Sequence, residues 1–592
     1  DDYYAYRNGK IVYAAYQSDP RWSNRDYSII KLLDIHTRKQ RQLSYRSKYF
    51  SPDINNEGTE VLAVHVNTNG TTYLHRINAN TGKVIKQLAN PKNYFYTQSK
   101  YIDNNTAISA VRNPEGKMSL VKVNLTTGAT ENVTPFSFNV IGYPFVKGDT
   151  VYFTGMHKAA DKIFAVKLSD KKLFQLTNNT NGVYQPAVNN KGEMLLTAFT
   201  AEGSRLGKVN LKAIPWQEVD DENFIQGSGL FNEAVPDKKA AGLLYTLADT
   251  TSTTTTYKKS FRLFNFHSWR PELNDPEYSY HLYSDNVLSS FSNSLTYTFN
   301  RSDRSHTVGF YEVFAGWFPV LSLGGEHHFN RSIDTALGKS VQFNSAKLNA
   351  GIYVPLSFVG GRTAKYLTVG GGYNIEQLYY RGIGKNVFDN KSVKYANAFL
   401  SFSNASRRAR QHINPRWAQS FSVSYRDAFT LINSHKLVGN SSFYFPGLST
   451  NHSLVLNASY QTRDSLPDLF SNTFSYSRGY EALSTRRMYK FGGNYHFPLF
   501  YPDWGLGNIL FFQRVRANAF YDHTIAHARV NGKLTDVKNR STGAEIYFDT
   551  KAWNALPVSF GVRFSHLLDT DLRNPGVKNL WEFIVPIGLI PD

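Results

Sequence analysis

The side chains that could do chemistry fall into three groups. Ser228 lies between Gly227 and Gly229, a setting that invites comparison with a serine nucleophile. A nucleophile elbow needs G-x-S-x-G on a turn from strand into helix, with His and Asp partners on an α/β sheet. Position 226 is Gln and no helical pattern follows, so the chain is read as a non-enzyme without catalytic residues. The second group is histidine: His327-His328, His496 and His523. Adjacent strand residues point to opposite faces, so 327 and 328 cannot share an ion. No His, Asp or Glu cluster has ligand spacing and Cys is 0, so no metal and no cofactor are expected. The third group is Ser477-Arg478-Gly479-Tyr480, followed on a later strand by Phe520-Tyr521-Asp522. Its chemistry is ionic recognition, because a guanidinium grips a carboxylate through two short, charge-assisted hydrogen bonds.

These residues need elements to hold them, and composition narrows which. A chain of 592 residues with 41% hydrophobic residues is globular and longer than one ordinary domain. Aromatics reach 15% while Met is only 4, a balance that favours sheet over helix, since Tyr and Phe suit pleated surfaces and bilayer interfaces. No window approaches the length of an apolar helical span. A barrel remains open, because its strands need only every second residue apolar and keep mean hydropathy low, here -0.40. The formal charge of +20 raises nucleic acid as a partner. The basic residues read as dispersed, however, so no nucleic acid is expected; they suit a water-filled interior or anionic lipid phosphates. The first residues, Asp1-Asp2-Tyr3-Tyr4, lack the pattern of a signal peptide, and the numbered chain is expected to begin after processing or inside a longer protein.

Residues 1–224 repeat a unit of strands and tight turns. Tyr49-Phe50-Ser51-Pro52-Asp53 opens one unit, a turn at 55–58 leads to Val61-Leu62-Ala63-Val64, Asn69-Gly70 makes a hairpin, and Thr81-Gly82-Lys83 turns again. Thr127-Gly128 and Ser169-Asp170 recur at the later turn, and Asp103-Asn104 and Lys147-Gly148-Asp149 at the earlier one. Asn-Gly and Gly-Asp pairs supply the backbone angles that hairpins need. This grammar resembles the TolB-like (PD40) propeller repeat and implies about five blades, with a sixth incomplete or upstream. Turn geometry alone accounts for these residues, so none receives a binding role.

Residues 225–256 read as a linker, with Gly227, Gly229, Pro236 and a threonine-rich run to Thr256. From 257 to 592 alternation becomes strict. Phe291, Leu295, Tyr297 and Phe299 alternate with Ser292, Ser294, Thr296 and Thr298, and Phe421, Val423 and Tyr425 with Ser420, Ser422 and Ser424. A soluble sandwich and a membrane barrel both give this pattern strand by strand. About fifteen such strands in an unbroken series favour the barrel. Tyr379-Tyr380, Phe443-Tyr444-Phe445 and Trp581 suit interface girdles, and the last strand is read as Leu580 to Leu589. The fold class expected is all-β, an N-terminal β-propeller followed by a transmembrane antiparallel β-barrel. An even strand number puts both termini, and the propeller, in the periplasm.

The barrel residues resemble the Omp85 superfamily of outer-membrane barrels. In that family the Arg-Gly-aromatic tip of an infolded loop docks on a Phe-x-Asp-x-Gly strand. Here the tip is Arg478-Gly479-Tyr480 and the strand Phe520-Tyr521-Asp522-His523-Thr524, with Thr524 where glycine is usual. Asn494 to Leu499 and Ser541 to Glu545 resemble two further family strands, Asn494 replacing an acid. Five strands are read after the tip, near 487–499, 508–522, 541–549, 557–567 and 579–589, and about ten before it; the family implies sixteen in all. The resemblance implies a lid-loop tip and lumen lock formed by Arg478, Gly479, Tyr480, Phe520 and Asp522. Alternation independently puts Arg514, Arg516, Asn518 and Asp522 on one strand face. The less favoured alternative is that Asp522 pairs with Arg514 or Arg516 on its own strand, leaving Arg478 in solvent.

Family membership implies a machine assisting insertion or translocation of proteins at the bacterial outer membrane. Its partners would be outer-membrane lipid and lipopolysaccharide, client outer-membrane or exported proteins, and other envelope proteins bound through the propeller. A propeller stands where most members carry POTRA modules, which leaves the client open. The alternatives are a passive transport or scaffold barrel, or the membrane part of a peptidase whose catalytic domain lies upstream.

Overall fold

The computed structural model describes residues 4–22, 25–157, 160–201, 203–226, 253, 255–256, 263–274, 276–334, 340–430, 433–464, 470, 474–483, 485–530 and 533–584. The chain divides into two compact units, Asp1–Asp19 with Asn24–Thr253, and Pro20–Ser23 with Thr254–Asp592. The Gly227-Ser228-Gly229 stretch, most of the expected linker, and the last strand beyond Ile584 lie outside the described residues.

The first unit is a five-blade propeller. Three blades are four-stranded, a fourth gains Gln217–Val219 as an outer fifth strand, and the last has three strands. Blade strands are buried on both faces, as in Val61-Leu62-Ala63-Val64, so they read as continuous apolar runs rather than alternating ones. Turns between the third and fourth strands repeat one device: Asn78 Oδ1 accepts the amides of Asn80 and Thr81, and Asn124 Oδ1 those of Thr126 and Thr127. The innermost strands carry a shared irregularity. Ser51, Gln98, Tyr143 and Gln185 all adopt positive φ where the register shifts, three of them just before a proline. Asp53 of the Ser-Pro-Asp opening is buried; it accepts the Tyr101 amide at 2.8 Å and lies 3.5 Å from both Arg7 and Lys100. It thereby ties three consecutive blades together. A short helix, Asp221–Gln226, drives Phe224 against Phe153 and Phe164, so ordered structure continues past the expected boundary at 224.

The second unit is one antiparallel sheet of seventeen strands, each paired with its neighbours in chain order. The three-residue piece Trp504–Leu506 continues Arg487–Phe500 along the same partner strand, Leu510–Val530. Sixteen strand positions therefore remain, in an up-and-down meander. Eleven strands precede the loop 464–486, not about ten. The expected strands 508–522 and 541–549 are in fact Leu510–Val530 and Lys533–Ala552. Their extensions carry His523, His527, Asp536 and Lys538 on the face that is apolar elsewhere on these strands, so the alternation loses its contrast. A short helix, Ile383–Val387, interrupts the all-strand reading.

Alternation translates directly into two faces. Leu295, Tyr297, Phe421, Val423 and Tyr425 are 37–45% exposed, so no second sheet covers them and the sandwich alternative falls. On the opposite face Ser401, Ser422 and Asn440 are aligned across neighbouring strands and also exposed. Both edges mix short and long connections: the edge that holds the start of Phe266–Asn274 has 361–362 and 553–555 but also 407–417, and the far edge has 301–304 and 531–532 but also 381–390, 464–486 and 568–578.

One prediction concerns the propeller. His75 is hydrogen-bonded to the Tyr49 hydroxyl at 2.8 Å and to Gln87 at 3.0 Å, and it stacks on His65. Burial lowers both imidazole pKa values and pushes the Tyr49 phenol up to about 12. An unfolded chain takes up protons at these sites near pH 6.5, before the folded one does. Propeller stability is therefore full above that pH and is lost as pH falls through it. The urea midpoint should drop between pH 7.5 and 5.5, and by less in a His65→Phe variant.

Candidate functional site

Four neighbouring strands build the site: Arg487–Phe500, Leu510–Val530, Lys533–Ala552 and Leu556–Leu567. Their register sets Gly492 beside Asp522 and Asp522 beside Ser541, and it sets Asn494, Phe520, Gly543 and Ser565 in the next row on the same face. Asn518, Glu545 and Arg563 form the row after that. Alternation requires every one of these side chains to point the same way.

The loop 474–483 lies on that face. Arg478 meets Asp522 in two prongs, Nε to Oδ2 at 2.7 Å and Nη2 to Oδ1 at 3.1 Å, and its backbone amide donates to the same carboxylate at 3.1 Å. The remaining donors reach Glu545 at 3.2 Å and Asn494 at 2.8 Å. Beneath the guanidinium lies the Phe520 ring, 3.7 Å from Cζ to centroid, so the cation is held edge-on by acceptors and from below by a π face. Asp522 and Glu545 are 1% and 2% exposed. Burial of two carboxylates demands compensation. Arg563 bonds Glu545 at 2.6 Å, and Lys490 lies 3.7 Å from Asp522. Arg563 also reaches Glu582 at 3.5 Å, so three cations face three carboxylates.

Backbone shape makes the approach possible. Gly479 has φ +84°, and a Cβ there would stand 2.8 Å from Leu567. A Cβ at Gly543 would stand 2.7 Å from the Phe520 ring and 2.0 Å from the Phe564 carbonyl. Gly543 is thus the gap into which the platform under Arg478 fits. Tyr480 is buried; its hydroxyl accepts the Asp569 amide at 3.0 Å and lies 2.8 Å from the Arg540 carbonyl. Thr524, at the usual glycine position, hydrogen-bonds Ser477 at 2.7 Å, and Ser477 donates to the Asn539 carbonyl at 2.9 Å. Apolar contacts add to these, Phe474 packing with Met488 and Ala526.

All five residues of the expected site are therefore gathered in one place. The alternative pairing is not found: Arg514 and Arg516 bind Asp549 at 2.6 and 3.1 Å, and Arg478 is largely buried. Sequence reading missed Glu545, Arg563, Lys490 and the acceptor role of Asn494. Glu545 was detectable, since it shares a strand face with Gly543 and Asp549. Arg563 and Lys490 require the register, which no local pattern specifies.

The fold and site together define a class, a propeller joined to a large antiparallel sheet with a loop pinned on its inner face. No family model and no curated protein matches the chain. Solved structures with some likeness include TolB, BamA and CdiB. TolB from Acinetobacter baumannii is 11% identical over 50% of this chain and 62% of that one, with a TM-score of 0.29. BamA from Haemophilus ducreyi lacking POTRA domains 1-3 is 14% identical over 53% and 69%, with a TM-score of 0.35. CdiB from Escherichia coli is 13% identical over 52% and 59%, with a TM-score of 0.34. The chain thus spans less than two thirds of the TolB and CdiB chains.

Removing one partner of the central pair leaves a buried charge uncompensated. Asp522→Ala is expected to cost about 2–5 kcal/mol and to free the loop. Thermal unfolding in detergent reads the first effect, and tryptic cleavage after Arg478, resisted by the parent chain, reads the second.

Proposed function

We propose that the chain is an outer-membrane barrel of the Omp85 type that assists insertion or translocation of other proteins, with the propeller as its periplasmic platform. The observation that carries this reading is the two-pronged Arg478–Asp522 contact on the inner face of a sixteen-position meander. A loop fixed there covers part of that face, and among the described residues Phe266–Asn274 and Asn579–Ile584 are the edges of the sheet. An edge strand with unpaired backbone groups can template an incoming strand, which is the step an insertase needs. No catalytic step is assigned to any residue. The membrane assignment draws on the outer face, whose exposed Leu, Val, Phe and Tyr side chains need an apolar surrounding.

Two experiments test the parts separately. Arginine in place of Val423, on the outer face, should destabilise the barrel in lipid by about 2–4 kcal/mol, whereas Ser422→Arg on the inner face should be tolerated; equal effects in a vesicle-based unfolding titration would exclude the bilayer as surroundings. Because the chain has 0 Cys, paired cysteines in Phe266–Asn274 and the last strand can form a single engineered bond. Oxidation should stop assembly of other barrels in the native membrane and reductant should restore it. A passive conduit would work equally well in both states.

A further inference from the structure

Four of the five propeller blades end their fourth strand in one way: Gln42-Leu43-Ser44, Gln87-Leu88-Ala89, Asn132-Val133-Thr134 and Gln175-Leu176-Thr177. Each Leu or Val amide donates to one carbonyl of the third strand: Leu43 to Ile30 at 2.8 Å, Leu88 to Leu74 at 2.9 Å, Val133 to Leu120 at 2.8 Å and Leu176 to Ile163 at 2.8 Å. Where a hydroxyl residue follows, it returns the contact, Ser44, Thr134 and Thr177 each accepting the amide of the same third-strand residue at 2.9 Å. All four receiving residues, Ile30, Leu74, Leu120 and Ile163, are fully buried.

The fifth blade has the receiving position without the donor. Thr154 pairs with Ile163, and Thr197 with Leu206. Both threonines stand opposite the inner-strand residue where the register shifts, Gly142 and Tyr184, so Leu206 is the counterpart of Ile163. It is 77% exposed, and Phe199 and Leu195 on the same face are 56% and 41% exposed. The Leu211 amide donates to the Gly192 carbonyl at 3.0 Å, which by alternation turns the backbone groups of Ser204, Leu206 and Lys208 outward. Among the described residues no strand pairs with that side. The chain that leaves Asn210 is committed elsewhere: Gln217–Val219 pairs with Leu173–Gln175 of the fourth blade, and Trp216 packs against Tyr152 and Phe174.

An open edge takes an extended segment by strand addition, with backbone bonds for affinity and alternate side chains for selection. We propose that Gly203–Asn210 is a docking edge for an extended segment of a separate polypeptide that reads Gln or Asn, then Leu or Val, then Ser or Thr. The Leu or Val amide of that segment donates to the Leu206 carbonyl, its hydroxyl accepts the Leu206 amide, and its apolar side chain covers Leu206 and Phe199. The test titrates the full chain in detergent with a fluorescent synthetic peptide copying residues 171–178 and reads anisotropy. One peptide should bind per chain. Methylating the backbone nitrogen of the leucine copied from Leu176 removes the donor to Leu206 without touching the protein, and should weaken binding about tenfold, the loss that one unmade hydrogen bond gives. Leu206→Pro removes the outward amide while sparing the pairing with Glu193–Thr200, and should weaken binding to a similar extent. No saturable binding to the parent chain, binding indifferent to the methyl group, or binding unchanged in Leu206→Pro would each overturn the site. A dimer of the parent chain that the peptide splits would give the edge to a second copy and overturn the separate polypeptide.

Discussion

A buried pair of opposite charges organises the second half of this chain. Taking a carboxylate and a guanidinium out of water costs several kcal/mol for each ion, and that cost is met only where every acceptor and donor finds a partner. Around Arg478 the partners come from four strands and one loop, and each has a reason to be where it is. Gly543 makes room for Phe520, Asn518 donates to Glu545 at 2.7 Å, and Arg563 balances Glu545 from the far side. Such a cluster tolerates little displacement, so it fixes the loop and the relative register of the strands beneath it together.

The two halves of the chain use one element, the antiparallel strand, in opposite ways. Blade strands are buried on both faces and join their neighbours by stacking, which is why Asp53, a single carboxylate at a blade boundary, can tie three blades. Strands of the large sheet are joined edge to edge, with one face apolar and uncovered and the other polar. Stability in the first case comes from apolar area removed from water. In the second it depends on what lies against the two faces.

Much of this architecture was legible from local pattern. Blade repeats announced themselves through Asn and Gly turns, because tight hairpins accept few other residues. Alternation at 291–299 and 420–425 gave the two faces of the large sheet. Strand ends were less legible: beyond Asp522 and before Ser541 the otherwise apolar face turns polar at His523, His527, Asp536 and Lys538, and the periodic signal fades while the hydrogen-bonded ladder continues. Within the site, Arg478 and Asp522 stood out through a motif, but Glu545, Lys490 and Arg563 reach them only through cross-strand register. Register is set by pairing across the whole sheet.

Ser401, Ser422 and Asn440 stand in one row on the inner face, and the ladder carries that row through Ser459 to Lys490, at the rim of the charged cluster. One side of the interior is thus crowded with ionic bonds and a fixed loop. Away from the cluster the same face mixes short hydroxyl and amide groups with charged pairs such as Lys347–Glu376 at 3.8 Å. The row of small side chains thus ends where Lys490 begins, so a change of side-chain size and charge along one line of paired residues marks the border of the region on which the loop can rest.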